Sequence, residues 1–156
     1  MNHFVYAMPL GRLTIEANER GITAVYFGDV ELDTPRKPSR LTNNAATQIQ
    51  EYFAGKRRVF DLPLDPKGTD FQLGVWGALQ TVPYGETRTY AQVAEMIGKP
   101  HAYRAVGMAN NKNPIPILIP CHRVIGANNA LVGYAAGVKI KRYLLKLEGV
   151  DTSKLR

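Results

Sequence analysis

Hydrophobic and polar positions alternate through the first 28 residues in short runs separated by turn residues. F-V-Y-A-M is followed by P-L-G-R, then L-T-I-E-A, then N-E-R-G, then I-T-A-V-Y-F-G. A period of two broken by Pro, Gly and Asn predicts an antiparallel meander. A polar, proline-containing connection runs from Asp29 to Arg40. The stretch S-R-L-T-N-N-A-A-T-Q-I-Q-E-Y-F-A-G then suits a helix ending at Gly55, and Arg58 to Leu62 reads as a short strand completing the sheet. The segment L-P-L-D-P-K-G-T-D is rich in Pro, Gly and Asp and reads as a linker, dividing the chain into residues 1–66 and 67–156.

Beyond the linker the period changes to that of helices. Thr69 and Gln72 form a capping-box pattern ahead of Phe71, Val75, Trp76 and Leu79 at helical spacing. Thr89 and Gln92 repeat it ahead of Tyr90, Val93, Ala94 and Ile97. Gly98 can end that helix and Pro100 can begin another, whose buried stripe reads as Ala102, Ala105, Val106 and Ala109. Two short helices joined by about three residues containing Gly fit a helix-turn-helix for DNA or a purely structural hairpin, and the pattern leaves both open.

Charge changes this picture. Up to Pro66 there are eight Lys/Arg against eight Asp/Glu, and from Lys67 onward twelve against five, so the whole excess of +7 lies in the second part. A basic surface of this kind favours a polyanion, because cations near phosphates release counterions; a merely soluble basic surface explains it as well. One cysteine rules out an internal disulfide, and three histidines with it make no zinc-type ligand set, so neither metal nor cofactor is expected. Charges and prolines interrupt every apolar run well short of a membrane span, and no signal-peptide pattern opens the chain. A cytoplasmic protein is expected, nuclear if its source is eukaryotic, with its lone thiol reduced.

That thiol sits in P-I-L-I-P-C-H-R-V-I-G, from Pro116 to Gly126. A lone cysteine is most often a small buried hydrophobe. Here Pro120 should end an Ile117–Ile119 strand, so that Cys121 and His122 begin a turn and need not point oppositely. An adjacent imidazole or cation moves a thiol, ordinarily titrating at about 8.5, toward the nucleophilic thiolate. A base needs an orienting partner, and Glu148 stands out among the later acids. It ends the V-K-I-K-R-Y-L-L-K-L-E-G helix, where the dipole disfavours negative charge unless something such as His122 holds it. Arg104 lies off the apolar stripe, on the same outward surface as Tyr103 and Gly107. Tyr90 stands in the first turn of its helix, where packing is the commoner role.

Taken together these residues resemble the O6-alkylguanine-DNA alkyltransferase family of suicidal DNA-repair methyltransferases. The resemblance rests on I-L-I-P-C-H-R-V from Ile117, with F-Q-x-x-V-W from Phe71, T-Y-A-Q-V from Thr89, Y-R-A-V-G from Tyr103, N-P-I-P from Asn113, G-Y-A-A-G from Gly133 and L-L-K-L-E-G from Leu144. It implies an α+β fold: a small N-terminal α/β, ribonuclease-H-like support domain with an antiparallel sheet, then a mainly helical catalytic domain with a helix-turn-helix. It implies that Cys121 accepts an alkyl group from O6-alkylguanine in double-stranded DNA after the nucleotide is flipped out, and leaves open whether O4-alkylthymine is a second substrate. His122 would take the thiol proton and Glu148 would orient His122. Tyr90 would protonate the leaving guanine and Asn113 would brace the turn. Arg104, with Tyr103, Gly107 and Arg123, would contact DNA. Val124, Tyr134, Ala135 and Pro116 would contact the base. Tyr103 stands where relatives usually carry alanine. A monomer acting once, with no membrane partner, is expected. A non-enzymatic lesion sensor of the alkyltransferase-like type would replace the cysteine, and a cysteine hydrolase would leave the basic bias without purpose.

Overall fold

The computed structural model describes every residue from 1 to 156 except Gly133 and Ala135. Backbone contacts divide the chain into two compact units: Met1–Lys67 with Pro114–Leu118, and Gly68–Asn113 with Ile119–Arg156.

In the first unit, β1 (Asn2–Met8), β2 (Gly11–Ala17) and β3 (Ile22–Phe27) form an antiparallel sheet in that order. Met8 pairs with Gly11 across a two-residue turn, where Gly11 takes φ 120°, a left-handed value that side chains disfavour. Asn18 closes the second hairpin, its Oδ1 accepting from the backbone N–H groups of Arg20 and Gly21. Alternation puts Leu13, Ile15 and Ala17 into the core with Ala45, Ala46, Ile49 and Tyr52 of α1 (Arg40–Phe53). Helix α1 starts on a capping box between Ser39 and Thr42. The expected strand at Arg58–Leu62 does not form; Leu64 makes only an isolated bridge to Ile22. Side chains hold that segment instead: Gln48 bonds both the N–H and C=O of Asp61, and Arg57 bonds the carbonyl of Val59. The expected Ile117–Ile119 strand is also absent. Ile117 has φ 73° and is buried, so the run turns where a strand would have to stay extended.

The second unit contains α2 (Asp70–Leu79), β4 (Arg88–Thr89), α3 (Tyr90–Met96), α4 (Tyr103–Asn111), β5 (Val124–Ile125) and α5 (Val138–Leu147). Both expected capping boxes close, Thr69 with Gln72 and Thr89 with Gln92. Trp76 is buried and its Nε1 donates to the Ala109 carbonyl at 2.9 Å, fastening α2 to α4. A Cβ on Gly68 would come within 2.6 Å of that indole, so the position before the Thr69 cap calls for glycine. The connection between α3 and α4 spans residues 97–102, longer than expected. Pro100 does not start the second helix, because the Ala102 N–H closes a turn onto Lys99 first. The buried stripe of α4 is Val106, Ala109 and Asn110, while Ala105 is exposed. β4 and β5 pair in parallel over two residues each, which ties the start of α3 to the end of the Cys121 turn. No helix among the described residues is long and apolar enough to cross a membrane.

Candidate active site

Cys121–Arg123 form a single 3₁₀ turn entered through Pro120. The Cys121 N–H bonds back to the Ile119 carbonyl and Arg123 to that of Pro120. Asn113 Nδ2 donates to the Ile119 carbonyl at 2.8 Å, and Asn110 Nδ2 to that of Cys121 at 3.3 Å. Asparagines thus hold both flanks of the cysteine, and the β4–β5 pairing fixes the exit at Val124.

Behind the turn lies a closed polar network. His122 is fully buried, and its Nε2 lies 2.7 Å from Glu148 Oε2. Arg123 is only 7% exposed; its Nε and Nη2 donate to the two Glu148 oxygens at 2.8 and 3.0 Å, and its Nη1 donates to the Val82 carbonyl at 2.8 Å. The Gly85 N–H adds a further donor to Glu148 Oε1 at 3.1 Å. These donors offset the unfavourable placement of an acid at the C-cap of α5. With the carboxylate accepting at Nε2, the imidazole proton sits there, and Nδ1 carries a lone pair. Among the described residues Nδ1 has no hydrogen-bond partner. Burial lowers the His122 titration, with Glu148 opposing and the cations of Arg123 and Lys141 reinforcing the fall.

Cys121 is 4% exposed, and burial pushes its thiol up to about 11, against the pull of Asn113 and Lys141. The resting sulfur is therefore a protonated thiol, and an anion has to be made by proton removal rather than stored. Tyr90, Tyr134 and Lys141 lie close enough to feel its charge. The Tyr90 hydroxyl donates to the Val132 carbonyl at 3.2 Å, and burial raises its titration, so the phenol keeps its proton. Tyr134 is buried and raised for the same reason.

Lys141 was not apparent from composition or charge. It is completely buried, with Nζ donating to the carbonyls of Val124 and, at 2.7 Å, Val132. Burial lowers its titration to about 8. It thereby joins the end of the Cys121 turn to the carbonyl that receives Tyr90. The signal was in the helix period: Lys141, Leu144, Leu145 and Glu148 share one face of α5, so a lysine occupies a core position. Replacing Lys141 with methionine should lower the thermal midpoint, since two carbonyls lose their donor at about 1–3 kcal/mol each. A thermal melt with an unchanged midpoint would show that those bonds carry no stability.

Arg123, expected on DNA, has a buried guanidinium that donates to Glu148 and to the Val82 carbonyl. Arg104 and Tyr103 do lie on the outer face of α4, Tyr103 being 46% exposed with the Arg104 guanidinium 5.9 Å from its ring centre. Gly107 lies beside the Tyr90 ring, a Cβ there falling 3.8 Å from it. Pro116 groups with the first unit, and Ala135 lies outside the described residues. A surface groove of about 230 Å³ between α2 and α4, lined by Phe71, Gln72, Ala105, Met108 and Lys112 among others, does not include the thiol.

Comparison with known proteins bears on this geometry. Residues 70–150 match the model of the 6-O-methylguanine DNA methyltransferase DNA binding domain, and residues 1–66 match that of the 6-O-methylguanine DNA methyltransferase ribonuclease-like domain. The chain is 50% identical to the methylated-DNA--protein-cysteine methyltransferase of Methanosarcina barkeri, over 95% of this chain and 97% of that one. It is 46% identical to the constitutive methylated-DNA--protein-cysteine methyltransferase of Bacillus subtilis, over 97% and 98%. A crystal structure of Mycobacterium tuberculosis OGT in complex with DNA superposes with a TM-score of 0.88 at 43% identity, covering 99% of this chain and 95% of that one. A Cys-His turn backed by a buried acid thus sits inside the matched DNA binding domain, the two matched models together run almost the length of the sequence, and the chain belongs to the 6-O-methylguanine DNA methyltransferase family.

Proposed function

We propose that this protein repairs DNA by direct reversal, moving the alkyl group of O6-alkylguanine onto Cys121 in a single irreversible turnover. The observation that carries the reading is the 3₁₀ turn in which the only cysteine of the sequence is followed by an imidazole whose Nε2 lies 2.7 Å from a buried carboxylate. Full-length relatives named methylated-DNA--protein-cysteine methyltransferase support it.

The O6 atom is buried in a stacked duplex, so the nucleotide has to leave the helix before the sulfur can reach its alkyl carbon. His122 Nδ1 takes the Cys121 proton, directly or through one water. The sulfur lone pair forms the new S–C bond as the C–O6 bond breaks, and that electron pair stays on guanine. Tyr90, still protonated at neutral pH, supplies the proton that neutralises the leaving base. The product is a thioether with no route back to thiol; the proton that His122 took is passed on through solvent to the Tyr90 phenolate, so electrons and protons balance without a cofactor. Because His122 titrates below the ordinary imidazole value of 6.5, it is a free base across neutral pH. The transfer rate should accordingly fall only below that value.

Basic residues of the second unit and the exposed face of α4 supply the DNA surface, with Arg104 filling the space of the extruded nucleotide. Replacing Arg104 with alanine should slow transfer from duplex DNA at least about tenfold more than reaction with free alkylguanine. Equal losses on both substrates would count against extrusion. Titrating a fixed amount of lesion-bearing oligonucleotide with protein tests the whole reading. One lesion should disappear per chain, and continued consumption by substoichiometric protein would mark a turnover enzyme instead.

A further inference from the structure

Glu148 has more partners than orienting a histidine requires. Nε2 of His122, two nitrogens of Arg123 and the Gly85 N–H together occupy the roughly four lone-pair positions of a carboxylate. The turn that begins at Val82 holds both members of the ion pair. The Val82 carbonyl accepts from Arg123, the Tyr84 ring lies 5.8 Å from the guanidinium, and the Tyr84 hydroxyl donates to the Leu147 carbonyl. Gly85 has φ 80°, and a Cβ there would meet the Glu148 carbonyl oxygen at 3.0 Å, so the close approach calls for glycine.

The charges around His122 follow from this arrangement. Glu148 faces it from the end of α5, Lys141 from the interior of α5, and Arg123 and Cys121 from its own turn. An acid paired only with an imidazole would raise the proton affinity of that ring. Burial is the main reason the ring stays neutral, and a guanidinium that shares the carboxylate adds to it, because the acid's charge is offset and an imidazolium would also face Arg123 and Lys141.

We propose that Arg123 and the Val82–Gly85 turn are positioning groups for alkyl transfer, saturating the Glu148 carboxylate so that His122 presents a bare Nδ1 and stays neutral while it waits for the thiol proton. This rests on the reading of His122 as the base. The cation adjoining the site is thus a tuning element for the histidine and takes no part in gripping DNA.

The test uses the full chain with Arg123→Gln and Arg123→Lys. The His122 ring would be titrated by NMR of carbon-labelled histidine, and methyl transfer from duplex O6-methylguanine followed from about pH 5 to 8. In Arg123→Gln the imidazole should titrate at least about one pH unit higher than in the wild type, with the acid limb of the rate moving equally. Arg123→Lys keeps the charge but loses the fork, so its titration should stay near wild type while transfer slows about tenfold. An unmoved titration in folded Arg123→Gln overturns the proposal. Should that variant fail to fold, a full transfer rate in Arg123→Lys overturns it as well. A titration that moves while the acid limb stays put supports the clamp and overturns His122 as the base.

Discussion

Replacing Cys121 with alanine should abolish alkyl transfer to the protein at every pH while binding of a lesion-bearing duplex persists. The chain holds no second thiol. His122 faces Glu148 on one side, and its free nitrogen has nothing to deprotonate once the sulfur is gone. The outer face of α4, with Arg104 and Tyr103, is untouched by the change, so the variant should behave as a lesion binder. Gel shift on O6-methylguanine duplex and protein mass spectrometry on the same sample check both halves. A methyl adduct elsewhere on the variant would show that another side chain can accept the group.

Glu148→Ala should carry the largest loss of stability. It strips the counter-charge from a buried guanidinium, and removing one partner of a buried ion pair costs about 3–5 kcal/mol. Against a total of about 5–15 kcal/mol for a domain, this is a large fraction. The same change frees the His122 ring and removes the group that selects its tautomer. Transfer by whatever protein remains folded should fall about 10²–10⁴-fold. Glu148→Gln keeps an acceptor and should lose less stability, although its amide N–H would face the Arg123 donors. Denaturant midpoints together with single-turnover rates decide the matter; an alanine variant with the wild-type midpoint would mean that the network contributes nothing to the fold.

Features encoded by short-range spacing were legible in the sequence. Both threonine–glutamine capping boxes and the meander depend on residues two to four apart, and the structure contains them. The acid at the end of α5 was conspicuous because it opposes the helix dipole. What escaped depends on distant partners. Arg123 reads locally as one more charge in a basic half, and only the arrival of Glu148 and Val82, 25 and 41 residues away, buries it. Ile117 reads as strand by composition, but its left-handed backbone is part of a buried turn that no local propensity favours. The Arg58–Leu62 run has strand-like residues, yet Gln48 takes the backbone groups that a ladder would need. Lys141 was visible only to someone asking which face of α5 it occupies.

Intact-mass spectrometry after mixing reduced protein with an O6-methylguanine oligonucleotide bears most directly on whether the Cys121 sulfur keeps the carbon it removes. A single methyl increment, mapped by peptide fragmentation to Cys121 and accompanied by unmodified guanine in the DNA, is the expected outcome. Loss of the lesion with the protein mass unchanged, or an increment on any other residue, would contradict it.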